Sequence, residues 1–273
     1  ILQLNPDGAA AYERLNAKGV DLNRDALNMS QPESKALLNI YNSFKPDYCL
    51  NLHGQRTIFS AGEKGQPASI SFLAPPADID RTLTPARIIA MKCNVAIFKG
   101  LKNDIPDQIG RYNDTYNPNC VGDHFTLLGT PTILFEAGHY PGDYQREVTR
   151  NLILKSFKIF FNALLMDKNI FNVNEYMNIP ENSKDFVDLL VKEVNIIDQG
   201  TLFKSQNLGV RYQEKLVNGE ICFIPFSVIY GDQIKFNSHR TITLPSELKD
   251  IPVIFEVDKS IQIKEFDELF SII

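Results

Sequence analysis

Three short stretches of this chain gather residue types capable of hydrolysis or anion recognition. The first is Asn5-Pro6-Asp7-Gly8, followed by Arg14-Leu15-Asn16 and then by Gly19-Val20-Asp21-Leu22-Asn23-Arg24-Asp25. The second is Leu50-Asn51-Leu52-His53-Gly54, and the third is Ile133-Leu134-Phe135-Glu136-Ala137-Gly138. A glutamate behind an apolar run is either exposed at a sheet edge or held in a cleft with a perturbed pKa, where it can move a proton. A histidine at a strand end is a metal ligand or a hydrogen-bonded imidazole. Arginine presents a planar fork that matches a carboxylate. Taken singly, each stretch also has an ordinary structural reading. Asn-Pro-Asp-Gly is turn chemistry, and an Asn-Arg pair suits a solvated strand end.

Positioning these residues requires strands that end in polar side chains. Up to about residue 167 short apolar runs alternate with helical patterns, which predicts an α/β layered domain. Ile1–Leu4 reads as the end of a buried strand and Gly19–Asn23 as a short strand. Ser30, Pro32 and Glu33 read as the start of a helix with a capping box. Its apolar positions Ala36, Leu37, Ile40, Tyr41 and Phe44 follow at helical spacing, and Pro46 ends it. Tyr48–Leu52 and Thr132–Phe135 read as strands, with His53 and Glu136 at their ends. Helices are predicted over Pro85–Phe98 and roughly Tyr144–Met166. Several polar residues therefore fall just beyond strand ends, where open α/β sheets bind ligands.

Beyond Asp167 the composition shifts. Residues 168–182 are rich in Asn and read as a linker. Residues 183–273 carry strand-like runs at Phe186–Val191, Gly209–Tyr212, Ile221–Ile229, Thr241–Leu244 and Val253–Val257, which predicts a small, mostly β accessory domain. The 273 residues suffice for a sizeable core, and 44% hydrophobic with 22% charged residues is ordinary for a globular chain. A net charge of −5 gives no basic footprint, so nucleic acid is not an expected partner. No apolar run reaches the ~20 residues of a transmembrane helix. Cys49, Cys93, Cys120 and Cys222 are far apart in sequence and read as buried free thiols.

Taken in order, the three stretches resemble the zinc carboxypeptidase family, the group that includes the digestive carboxypeptidases, over roughly Ile1 to Met166. The resemblance implies an α/β fold with a mixed sheet and one Zn2+ ion, with His53 as a zinc ligand and Glu136 as general base. It further implies that Arg14 stabilises the oxyanion and that Asn23 and Arg24 hold the free C-terminal carboxylate of a peptide. A tyrosine that closes over substrate is expected at Tyr116, with Tyr112 as the competitor. His124 and His139 receive no ligand role, and His239 reads as structural.

The chain departs from that family in one respect. The other two zinc ligands come from a His-x-x-Glu motif expected upstream of Ile1, and no such motif occurs among these residues. The expectation is therefore an N-terminally truncated catalytic domain. Two alternatives remain open. One is an N-acyl amino acid hydrolase of the aspartoacylase and succinylglutamate desuccinylase type, whose members share a stretch like Asp21–Arg24. The other is an inactive binder of peptide C-termini.

Overall fold

Side-chain alternation decides which face of the first sheet is buried. The computed structural model describes residues 1, 3–55, 58–166, 171–257, 259–261 and 266–270. Four strands, β1 (Cys49–Gly54), β3 (Ile70–Leu73), β4 (Ile109–Arg111) and β5 (Thr132–Ala137), form a sheet in the order β1-β5-β3-β4. β1 runs parallel to β5, β3 antiparallel to β5, and β4 parallel to β3, so the sheet is mixed. Ile133 and Phe135 of β5 and Ile70 and Phe72 of β3 turn toward one face and are almost wholly buried. There they pack with residues of α3 (Pro85–Leu101) and α5 (Glu147–Leu164) in one core cluster. Phe135 meets Phe72 and Phe157 edge to face, with centroids 5.4 and 5.3 Å apart. The opposite face carries the alternate residues, among them Asn51, His53 and Glu136.

The two edges of this sheet differ. β4 is covered by the chain at 180–181, where the Arg111 N–H donates to the Pro180 carbonyl at 2.7 Å and Arg111 pairs with Glu181. Among the described residues β1 pairs with β5 alone, and Leu52 on it is 57% exposed. α2 (Pro32–Phe44) lies near this open edge, and its Tyr41 ring stacks on Phe125 of α4 (Val121–Leu127) at 4.3 Å.

A second sheet has the order β10-β7-β8-β9 and a core of its own. It is built from β7 (Phe186–Asp198), β8 (Thr201–Val217), β9 (Glu220–Gly231) and β10 (Asn237–Thr243), with β11 (Val253–Ile254) added beside β7. The short β2 (Ser60–Ala61) and β6 (Asn182–Ser183) pair with each other. Among the described residues no helix is long and apolar enough to cross a membrane.

Several local expectations change. Ile1 and Gln3–Asn5 form no strand, and Leu2 lies outside the described residues. Asn-Pro-Asp-Gly opens a helix, α1 (Pro6–Ala11), in which Asn5 is the N-cap and accepts from the Gly8 N–H at 3.0 Å. Gly19–Asn23 is a turn running into a 3-10 segment at Leu22–Arg24, because the Asp21 carboxylate captures the Asn23 N–H at 2.9 Å. Ser30 does not cap α2. Its hydroxyl donates to Asp25 at 2.7 Å, and Gln31 takes the N-cap position with no side-chain bond. Of the stretch read as a linker, 168–170 lies outside the described residues. The following turn Val173–Asn178 puts Tyr176 into the first core, where its hydroxyl accepts from the Ala74 N–H at 2.9 Å.

Asp25 shows how the Asn23-Arg24 segment is fixed. It is 3% exposed, and its carboxylate accepts from the Ser30 N–H at 3.0 Å and the Gln31 N–H at 2.9 Å. Desolvation pushes its pKa up, but the surrounding hydroxyls and these N–H groups outweigh that and hold it at about 2. A folded-state pKa below the unfolded value contributes stability above the unfolded value and loses it as pH falls through about 2. Asp25→Ala should therefore cost about 1–3 kcal/mol at neutral pH by orphaning two N–H groups. In urea unfolding measured at several pH values, the gap to wild type should shrink as pH falls from about 4 toward 2. A gap that does not change with pH would contradict this.

Candidate functional site

β1 and β5 pair in a register that sets His53 directly against Glu136. On the far side of β5, Ser71 of β3 stands opposite Glu136. A polar row thus crosses the sheet on the face turned away from α3 and α5. His53 Nε2 and Glu136 Oε2 are both buried from solvent, with no hydrogen-bond partner among the described residues. Two unpartnered polar atoms on facing positions of adjacent strands leave hydrogen-bonding capacity for a ligand or a water.

Their electrostatics follow from burial in an acid-poor, arginine-rich setting. Desolvation lowers the His53 pKa, and the fields of Arg14 and Arg24 lower it further against an opposing contribution from Asp21. Desolvation also drives Glu136 up to about 7, with Arg14 and Arg146 pulling in the other direction. A carboxyl poised near neutrality can both take and return a proton.

Arg14 is placed by the Asn-Pro-Asp-Gly helix. Asn5 Nδ2 donates to the Leu15 carbonyl at 3.1 Å and the Arg14 carbonyl at 3.3 Å. Gly8 is required for this approach, since a Cβ there would lie 2.1 Å from Asn5 Nδ2 and 2.6 Å from the Leu15 carbonyl. The Arg14 side chain is 60% exposed and its Nε pairs with Asp21 at 2.8 Å.

Asn23 and Arg24 sit where the 3-10 segment meets α4. The Asn23 carbonyl oxygen Oδ1 accepts from the Val121 N–H at 2.9 Å, so it holds the helix start and leaves only Nδ2 for a ligand. Arg24 is exposed, and its guanidinium donates to Cys120 Sγ at 3.1 Å and to the Asn23 backbone carbonyl at 2.7 Å. Next to it, desolvation raises Asp123 to about 6, with Asn117 N–H bonding and Arg24 opposing.

The two tyrosines separate. Tyr112 is the one beside Glu136: its hydroxyl donates to Gln55, and burial followed by the Glu136 charge raises its pKa. Tyr116 lies among Asp123 and Asp78, and burial and those two charges raise its pKa. The loop around it is fastened on both sides. Asp114 pairs with Arg87 and Arg81, and the Asn117 N–H donates to Asp123 at 2.9 Å. His139 is buried with Nε2 facing Arg146 at 3.2 Å, and the His239 ring lies 4.9 Å from Phe186. His124 keeps its Nδ1 buried on α4. Gln55, Ser71 and Arg146 also shape this site, and no periodicity or motif in the sequence marks them.

A groove of about 570 Å3 runs along the open edge of β1. Arg14, Asn23, Asn51 and His53 line its polar end, and Leu37, Ile40, Phe44 and Leu50 its apolar remainder. The orphaned His53 nitrogen suits a metal, but catalytic zinc uses three protein ligands. No group of three or more His, Cys, Asp or Glu side chains is arranged to hold a metal among the described residues. One imidazole beside one carboxylate does not fit the ion.

No family model matches the chain, and no curated protein does. Among solved structures it is similar to Csd4 of Helicobacter pylori, a D,L-carboxypeptidase in an mDAP-bound form, at 14% identity and TM-score 0.41, over 94% of this chain and 65% of that one. The apo form of Csd4 gives 14% and 0.40. A metallopeptidase candidate from Shewanella denitrificans gives 19% and 0.36 over 57% of each chain. The chain spans 57% to 65% of the length of these structures.

The buried Glu136 carboxyl generates a stability prediction. Its folded pKa of about 7 lies above its ordinary value of 4.5, so the folded state holds an extra proton between them. Stability therefore falls as pH rises from 4.5 through about 7, and the full penalty is present above that. Glu136→Gln should leave the melting temperature unchanged at pH 4 and raise it at pH 8, by an amount equivalent to about 1–3 kcal/mol. A variant less stable than wild type at pH 8 would contradict the assignment.

Proposed function

We propose that this chain supplies the proton-transferring and carboxylate-recognising parts of a carboxypeptidase-type peptide hydrolase. The observation that carries the reading is the pairing of His53 with Glu136, both orphaned, with the guanidinium groups of Arg14 and Arg24 on the approach to them. A peptide with a free C-terminus would bring its carboxylate to Arg24 and Asn23 Nδ2, where a fork and an amide match its two oxygens. Its last peptide bond would then lie toward the β1–β5 row. Glu136 takes the proton of the attacking water and returns it to the leaving amine, as a carboxyl held near neutrality can. Arg14 faces the oxygen on which charge develops. Tyr112, whose phenol is next to Glu136, is a better candidate than Tyr116 for contacting the reacting end of the substrate.

Zn2+ would lower the pKa of that water and polarise the scissile carbonyl. His53 alone does not hold it, because a catalytic zinc takes three protein ligands and no such group is arranged among the described residues. A second reading, a binder of peptide C-termini without turnover, is favoured by that incomplete ligand set together with the firmly seated Asn23-Arg24 segment. The N-acyl amino acid hydrolase alternative has no structural observation in its favour.

Two experiments bear on this. Calorimetric titration of the chain with acetyl-Ala-Ala and with its C-terminal amide should show preference for the acid. Arg24→Ala should weaken the acid by about ten- to a hundredfold, the worth of one charge-assisted pair, and leave the amide unchanged. Equal losses on both ligands would refute the carboxylate contact. Zinc titration of the same chain should show no binding tighter than about micromolar, because a single imidazole lacks the ligand count of a catalytic site. Submicromolar zinc would contradict the ligand assignment.

A further inference from the structure

The C-terminal sheet sends one acidic side chain into the site. Glu214 lies on β8, and its side chain is 10% exposed. One carboxylate oxygen accepts from the Tyr12 hydroxyl and the other from Arg146 Nη2 at 3.2 Å. Tyr12 closes the C-terminal end of α1, the helix whose N-cap Asn5 grips the Arg14 and Leu15 carbonyls. Arg146 works on the other side. Its Nη1 donates to the Ala137 carbonyl at 3.1 Å and its Nη2 to the Gln55 carbonyl at 3.2 Å, which are the chain exits of β5 and β1. The Gln55 N–H also donates to the Ala137 carbonyl, at 2.8 Å, so the guanidinium extends the strand pairing one step past His53 and Glu136. Arg146 does this from a left-handed backbone, φ 59° and ψ 28°, which a non-glycine residue keeps only when its surroundings hold it there.

We infer that Glu214 is a positioning residue that ties the Arg14 turn to the strand ends carrying His53 and Glu136, which makes the C-terminal sheet a structural part of the site. The inference rests on the proposed function where it concerns the site, while the tie itself can be measured without it. A carboxylate suits the task because it accepts from a guanidinium and a phenol at once through two oxygens. Removing it leaves Arg146 with an uncompensated charge in a mostly buried position, and both arms of the tie loosen together.

Hydrogen exchange on the full chain tests the tie. Glu214→Ala should speed exchange at the Gln55 amide and at the Tyr12 and Glu13 amides by about tenfold or more, the effect of local opening. The amides that pair Ile196 and Ile197 with Phe203 and Leu202, far along β8, should keep their rates. Wild-type rates at both Gln55 and Glu13 would overturn the inference. If Glu214→Ala does not fold, Tyr12→Phe removes one arm alone: Glu13 should exchange faster with Gln55 unchanged, and no change at Glu13 overturns the inference. Binding separates the tie from the function. Glu214→Ala should weaken acetyl-Ala-Ala and its amide together, by about tenfold, because the tie holds the Arg14 turn and the strand ends rather than Arg24 and Asn23, which meet the carboxylate. Unchanged affinity for both alongside faster exchange overturns the positioning role. Faster exchange in a protein whose wild-type form does not prefer acid to amide keeps the tie and removes the carboxylate-binding reading.

Discussion

The parallel pairing of β1 with β5 is the constraint on which the rest of the site depends. Side chains alternate along a strand, so a slip of one residue would turn His53 or Glu136 away from the other and toward the packed face. Burial of Ile133 and Phe135 beneath α3 and α5 fixes the face that Glu136 presents, and the backbone pairing of β1 with β5 sets His53 opposite it. Desolvation at this row is the largest cause of the shift of both groups toward their neutral forms.

Around that row the remaining parts are held by local hydrogen bonds rather than by a large core. Asn5 fixes the backbone at Arg14, Asp25 fixes the turn that follows Arg24, and Asn23 fixes the start of α4. Each uses a short polar side chain on nearby backbone groups, which is how an irregular segment acquires a single conformation. Glu214 and Arg146 add a long-range polar connection from the C-terminal sheet to these segments. The strands thus carry His53 and Glu136, and the segments around Arg14, Asn23 and Arg24 are irregular pieces held beside them.

Much of this was legible in the sequence, and the failures have physical causes. The strand-end positions of His53 and Glu136 followed from short apolar runs bounded by polar residues, and α2, α3 and α5 followed from helical spacing and proline. All four residues of Asn-Pro-Asp-Gly favour turns, yet Asn at the N-cap and Pro at the first helical position also begin a helix. Ser30 and Glu33 matched a capping box, but the buried Asp25 carboxylate competes for the Ser30 hydroxyl and wins. Sequence spacing favours Tyr116 but carries no information about which loop residue turns inward, and Tyr112 is the one placed beside Glu136. Arg146, Gln55 and Glu214 come together across long sequence separations, so no local pattern announces them. His53 stands out in sequence as a lone candidate ligand, and among the described residues no group of three or more His, Cys, Asp or Glu side chains is arranged to hold a metal.

The buried pairing of His53 with Glu136 is tested most directly by following the Glu136 side-chain carboxyl carbon through a pH titration by NMR. A midpoint near 7, well above the ordinary 4.5, is the expected result. A midpoint at about 4.5 would contradict the pairing and the burial that shifts it.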